Sequence, residues 1–230
     1  MMGEKSLIDS VRAALQPHGV FVRGTVNFDD EETAPRLADG GAARSVILIG
    51  NIGGSLWSHF DSWRNTQLDC GGGDPLDAWS KEVISPVAIA LGGTAYFPSD
   101  PPWQPFQQWA RQAEGLKASP LGILIHPQYG LWHGYRGAIG FATHLREWDG
   151  PAGGHPCDDC EGKPCISRCP AGAVSASGFA VTPCRQWLAT AEGQAGCLDG
   201  GCLAREACPV GSDYRYPEAQ LRFHMQALKI

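Results

Sequence analysis

The cysteines offer the densest chemistry in the chain, because eight of the nine lie between Cys157 and Cys208. The first half of this stretch reads C-x2-C-x4-C-x3-C-P, which differs in one gap from the C-x2-C-x2-C-x3-C-P run of bacterial ferredoxins. The second half also ends on Cys-Pro. The candidate metal ligands are Cys157, Cys160, Cys165, Cys169, Cys184, Cys197, Cys202 and Cys208.

Eight thiolates are the number that two [4Fe–4S] clusters need. In two-cluster ferredoxins the fourth cysteine of a run binds the other cluster. This crossover predicts one ligand set of Cys157, Cys160, Cys165 and Cys208. It predicts a second set of Cys169, Cys184, Cys197 and Cys202.

Two other uses of these cysteines remain open at this point. Cys-x2-Cys pairs also hold tetrahedral zinc, and eight thiolates could hold two zinc ions, although zinc has no need of a Cys-Pro after each run. Disulfides are less expected, since they are typical of small secreted chains and the cysteine total here is odd. The lengthened gaps after Cys160 and Cys202 also leave a different cluster nuclearity open.

The composition is that of a folded chain large enough for a core. The chain has 230 residues, 43% of them hydrophobic, and a formal charge of −6. We expect no membrane helix, because no run of eighteen apolar residues occurs, and no secretory leader. We therefore expect a cytoplasmic protein, whose reducing surroundings suit free thiolates. The acidic balance disfavours nucleic acid as a partner.

The rest of the chain alternates helical and strand patterns. Helical spacing predicts a helix from Ser6 that ends near Gly19, and apolar runs predict strands at 20–28, 45–49 and 95–98. Asp74 and Pro75 predict the start of a helix that Pro86 should kink or interrupt. A Pro- and Gly-rich stretch at 150–156 predicts a linker between domains at 1–150 and 151–230.

A second candidate site lies at residues 121–141, which predict a strand, a turn and a strand. The segment crowds His126, Tyr129, Trp132 and Arg136 among glycines. Flat side chains beside glycines can form a surface that a planar ligand approaches closely. An aromatic hairpin that packs on the core is the alternative.

These two stretches resemble known families. The cysteine run is similar to the ferredoxin-type module of epoxyqueuosine reductases and related corrinoid-dependent reductases. The segment from Ile125 to Gly137 resembles the I-H-P-x-[FY]-G-x-W-x-x-x-R-G stretch of the cobalamin-processing family that decyanates and dealkylates cobalamins. The resemblance implies an α+β chain: a nitroreductase-like, corrinoid-binding domain at 1–150 and a small ferredoxin-like iron–sulfur module at 151–230.

The resemblance also implies roles for individual residues. It places Trp132 over the corrin and Arg136 toward the region where the processing family binds a thiol co-substrate. His126, Tyr129 and Gly130 would shape the pocket from the turn, with Gly137 following Arg136 in the motif. For Arg136 a structural ion pair, and for His126 a hydrogen-bonded place in the core, are the alternatives.

The function that follows is an electron path. An external donor (a flavodoxin, a ferredoxin or a reductase) would reduce the clusters, which would reduce a bound corrinoid or remove its upper ligand. One alternative is a two-cluster electron carrier without a corrinoid. Another is a flavin- or corrinoid-using reductase of a different organic substrate. Because the chain ends soon after the cysteine run, we expect no helical-repeat extension of the kind that grips tRNA.

Overall fold

The computed structural model describes residues 4–145, 150 and 153–228, with side chains from Leu7 onward. It contains two compact units, Met1–Gly115 with Gly134–Gly150, and Leu116–His133 with Pro151–Ile230, which we call the first unit and the cysteine unit. A single boundary at 150 therefore misplaces one segment, since 116–133 belongs to the cysteine unit. Residues 151 and 152 of the predicted linker lie outside the described residues. No helix in the described part of the chain is long and apolar enough to cross a bilayer.

The chain up to residue 141 contains both helices and strands. They are α1 (Glu4–Leu15), β1 (Phe21–Asn27), β2 (Ser45–Ile52), α2 (Trp57–Thr66), α3 (Pro75–Ala90), β3 (Thr94–Tyr96), α4 (Phe106–Glu114), β4 (Lys117–Ala118), β5 (Leu124–Ile125) and β6 (His133–Phe141).

The cysteine-rich stretch and the C-terminus carry shorter elements. They are α5 (Pro164–Ser167), β7 (Val174–Ser175), β8 (Gly178–Phe179), α6 (Val181–Leu188), α7 (Ala191–Gly193), a π-helical turn (Gln194–Leu198), α8 (Leu203–Glu206) and α9 (Glu218–Gln226).

The first unit is built on a sheet with the order β1-β2-β6-β3. Strand β2 is buried at every position before Ile52, as its continuous apolar run predicts. Helix α4 packs on β1, where a Cβ on Gly24 would lie 2.8 Å from the Ala113 Cβ. A glycine there lets the helix lie close to the strand.

Helix α3 is not interrupted at Pro86. The sequence predicts a kink or an interruption there, and the helix continues through Pro86 to Ala90. Proline removes one backbone hydrogen bond from a helix interior. Buried residues on both sides of it, among them Trp79 and Ala88, anchor the two halves in the core and offset that loss.

The predicted hairpin at 121–141 is also corrected. Strand β5 pairs with β4, with Ile125 opposite Lys117, while β6 joins the four-stranded sheet next to β3. The turn itself exists, because His126 and Gly130 exchange two backbone hydrogen bonds of 2.9 Å. The segment is therefore a closed turn between strands of different sheets.

Candidate functional site

Four cysteines of the cysteine unit surround one cavity. It has an empty volume of about 360 Å³, its open mouth included, and its wall contains Lys163 with Cys157, Cys160, Cys165 and Cys208. Burial, followed by repulsion from the thiolates of Cys208, Cys165 and Cys160, raises the pKa of Cys157 to about 11. We call these four cysteines the first cysteine group.

The other four cysteines of the stretch form a second cysteine group, Cys169, Cys184, Cys197 and Cys202. Burial raises the pKa of Cys184, and repulsion from the thiolates of Cys202, Cys169 and Cys197 adds to the rise. Leu188, Leu198 and Met225 pack with Cys184, Cys197 and Cys202, whereas Cys169 packs against the apolar cluster that contains Cys165 and Cys208. Cys169 acts on the pKa of Cys184 and Cys202 of the second run, and Cys208 lies in the cavity wall with three cysteines of the first run. That these two sets bind clusters stays a prediction.

Backbone amides donate hydrogen bonds to sulfur in both groups. The Ala173 N–H donates to Cys169 Sγ at 3.3 Å. Amides of Arg205 and Ala204 do so for Cys202, and the amide of Val210 for Cys208. These bonds lower the pKa of Cys202 and Cys208 against the larger effect of burial, which raises it. They stabilise the thiolate, the form of cysteine that binds metal.

Cations lie near both groups. Lys163 lowers the pKa of Cys157 and Cys165, Arg215 that of Cys208, and Arg185 that of Cys184, each as a minor effect beside burial. Each group of four thiols therefore has a positive charge near it that offsets part of the charge of its thiolates.

Within the described residues, which include all nine cysteines, no group of three or more His, Cys, Asp or Glu side chains has an arrangement that could hold a metal ion. All nine cysteines are free thiols.

His126 closes the turn of the second candidate site. Its Nδ1 accepts hydrogen bonds from the amides of Gln128 at 3.0 Å and Tyr129 at 3.1 Å. Its ring stacks on the Tyr129 ring with centroids 4.1 Å apart. Because Nδ1 accepts twice, the neutral ring carries its proton on Nε2. His126 therefore has a structural place in the turn.

The turn packs against the chain that follows Cys208. Gly130 has φ +57°, and a Cβ on it would lie 1.9 Å from the Val210 carbonyl oxygen. A Cβ on Gly211 would lie 2.3 Å from the Tyr129 carbonyl carbon. The glycines of both segments let the two backbones lie in contact. The turn thus supports the first cysteine group.

Trp132 is completely buried in the cysteine unit, with 0% exposure. Its ring meets the Tyr216 ring edge-on at 5.4 Å, and the Arg205 guanidinium carbon lies 4.4 Å from its centroid. Its indole N–H has no hydrogen-bond partner among the described residues. In this arrangement Trp132 is a core residue with one unsatisfied donor.

Arg136 and Gly137 lie in β6, in the first unit, whereas Trp132 belongs to the cysteine unit. A Cβ on Gly137 would lie 2.9 Å from Ile84 Cδ1 of helix α3. The close packing of β6 on helix α3 is therefore enough to explain the glycine, and no ligand is needed to account for it. Arg136 is half-buried, and its role toward a ligand stays a prediction.

A buried polar network next to Arg136 is not predicted by the sequence patterns. Arg23 donates to Glu114 Oε2 at 2.8 Å and to the Asn51 carbonyl at 3.2 Å. Its guanidinium carbon lies 5.4 Å from the centroid of the Tyr135 ring. Burial raises the pKa of Glu114 although Arg23 opposes the rise, and burial also raises the pKa of Tyr135. The sequence contains one signal of this network, which is an arginine among the apolar residues of β1.

The comparisons with known proteins give a fold. No protein-family model and no curated protein matches the chain. Among solved structures, the B12-trafficking protein CblC of C. elegans, a homologue of human MMACHC, is similar with a TM-score of 0.54 and 13% identity. The match covers 97% of this chain and 92% of that chain. The likeness supports the mixed helix-and-sheet fold predicted for the chain, while the ferredoxin-like module stays a prediction.

Proposed function

We propose that the chain is an iron–sulfur redox protein that passes electrons from two [4Fe–4S] clusters to a bound corrinoid. The outcome is reduction of the cobalt or reductive removal of its upper ligand. The observation that carries the proposal is the cavity that Cys157, Cys160, Cys165 and Cys208 line together, which brings a cysteine of the second run to three of the first.

Each group supplies four thiols, the number of ligands that a [4Fe–4S] cluster takes. A cube binds its four thiolates through four separate iron atoms, so the sulfurs need not converge on one point as they do around zinc. The groups are partly buried and receive amide hydrogen bonds, which are among the factors that set cluster potentials. On this basis we assign each cysteine of the first and second cysteine groups as an iron ligand.

Two further observations support the binding of a corrinoid. The motif from Ile125 to Gly137 resembles that of the cobalamin-processing family, and the fold is similar to CblC, which is described as a B12-trafficking protein. Arg136 contributes a half-buried cation.

When bound, the clusters supply and accept single electrons and the corrinoid supplies the cobalt that receives them. The chain's own residues have separate tasks. The amides at Cys202 and Cys208 hold thiolates in place. Arg205 fixes the ring of Trp132, and the His126 turn supports the segment after Cys208. Arg136 offers positive charge to the reacting group.

The complete burial of Trp132 favours a second candidate function, a two-cluster electron carrier without a corrinoid. In that case the aromatic motif serves the packing of the cysteine unit. The packing of Gly130 against Val210 gives the motif such a structural use.

Anaerobic rapid mixing of the dithionite-reduced protein with cob(III)alamin separates the two candidates. The proposal expects fast, saturable reduction that Arg136→Gln slows at least about tenfold. Arg111→Gln, at an exposed position of α4, removes the same charge from the same unit and leaves the rate unchanged. Equal rates in wild type, Arg136→Gln and Arg111→Gln, with no saturation, indicate an electron carrier that reduces cobalamin only by collision.

A further inference from the structure

The loop between Cys160 and Cys165 departs from the ferredoxin spacing by two residues. It reads Glu161-Gly162-Lys163-Pro164 in place of a two-residue gap. Gly162 has φ +67° and Lys163 has φ +37°, so the chain turns sharply before α5 begins at Pro164. The extra length thus changes the direction of the backbone and brings Lys163 into the wall of the cavity.

Lys163 has a backbone conformation that is unfavourable for any residue with a Cβ. Among the described residues, only Cys70 and Lys163 have positive φ without being glycine. A residue with a Cβ is strained in this region relative to the right-handed conformation. Such strain persists where surrounding contacts fix it, and it is frequent at functional sites.

The side chain of Lys163 has a defined position. Its Nζ donates to the Cys157 carbonyl oxygen at 2.5 Å. It lines the same cavity as the first cysteine group, and its charge acts on both Cys157 and Cys165. Arg215 acts on Cys208, so the group has a second cation, whereas the neighbouring Asp158 and Asp159 are exposed.

We propose that Lys163 is a positioning residue that holds a fixed positive charge beside the first cysteine group and raises the reduction potential of the cluster bound there. The inference rests on the proposed function. One-electron reduction, by the external donor or by dithionite, adds a negative charge to the cluster. An ammonium held in the cavity wall stabilises that charge more than water-screened lysines do. The longer loop is what brings Lys163 there.

The test is a redox titration of the reconstituted protein, followed by electron paramagnetic resonance. In Lys163→Gln we expect one of the two iron–sulfur waves to move to lower potential. The ratio of reduced to oxidised cluster at fixed potential should fall about tenfold, which is about 59 mV for one electron. Lys163→Arg, which keeps the charge, should restore most of the shift. Lys117→Gln, which removes an exposed lysine of β4 in the same unit, should move neither wave.

Urea unfolding of the apoprotein provides the second measurement, since a merely structural lysine changes stability without changing a potential. If both reduction potentials are unchanged in Lys163→Gln, or if Lys117→Gln shifts a potential equally, the inference is overturned and the proposed function stays intact. A wild-type protein that takes up no cluster overturns both. If Lys163→Gln does not fold, Lys163→Arg and Lys163→Met are compared in its place.

Discussion

The guanidinium carbon of Arg205 lies 4.4 Å from the centroid of the Trp132 ring and 4.6 Å from that of Tyr216. Arg205 also donates through its side chain to the Leu131 carbonyl at 2.5 Å, and its backbone amide donates to the sulfur of Cys202. One residue thus links Cys202 of the second cysteine group to Trp132.

The Arg205–Trp132 contact should be measurable as a coupling energy. A double-mutant cycle with Arg205→Met and Trp132→Leu, followed by urea unfolding, should give a coupling of about 1 kcal/mol, since the cation is desolvated over the ring. Arg205→Lys should not restore it, because a lysine lacks the planar guanidinium that stacks on rings. Effects that add within about 0.3 kcal/mol show that the contact contributes nothing specific.

The two cysteine groups predict which pairs of substitutions act together. Cys165→Ser or Cys208→Ser should each reduce the iron content from about eight to about four atoms per chain, and their double variant should stay near four. Cys165→Ser combined with Cys169→Ser should leave almost none. Iron analysis after anaerobic reconstitution measures this. A double variant of Cys165 and Cys208 without iron would contradict the grouping.

Gly130 should be required by the fold of the cysteine unit. Gly130→Ala combines an unfavourable positive φ with a Cβ 1.9 Å from the Val210 carbonyl oxygen, so we expect a loss of about 3 kcal/mol or more in the free energy of unfolding. Gly122→Ala is the matched control, because φ there is +76° but the nearest atom is 3.8 Å away. It should lose about 1–2 kcal/mol. Equal losses of unfolding free energy in the two variants would mean that residue 130 does not lie in contact with the Val210 carbonyl.

Glu114 should make stability depend on pH. Its pKa is higher in the folded chain than its ordinary value because of burial, so the folded state holds the proton more tightly than the unfolded state. The stability of the wild type relative to Glu114→Gln should therefore be greatest below the ordinary glutamate pKa. This stability difference should fall as pH rises through the raised pKa of Glu114 and should then stay constant. Urea unfolding of both proteins from about pH 4 to about pH 8 measures this, and a difference that grows with pH would show that Arg23 outweighs burial.

The sequence predicted most elements that local patterns determine. The apolar run at 45–49 is a strand, Gly19 ends the 3-10 turn (Gln16–His18) that continues the first helix, and Asp74 and Pro75 mark the start of α3. The crossover of Cys169 and Cys208 between ligand sets follows from a spacing rule alone, and it stays a prediction.

The contacts between distant segments were not predictable. Residues 116–133 join the cysteine unit through the fit of Gly130 against Val210, which only the folded backbone reveals. Arg23 and Glu114 are 91 positions apart, and no local pattern pairs them. Pro86 shows the same limit, since tertiary anchoring of α3 outweighs the local preference of proline.

Iron, sulfide and zinc analysis of anaerobically prepared protein, with its visible spectrum before and after cob(II)alamin is added, tests most directly whether the chain carries clusters and binds a corrinoid. We expect about eight iron and about eight sulfide per chain and a shift of the corrin bands on addition. Iron without a corrin shift would leave an electron carrier. Zinc in place of iron would overturn the proposed function.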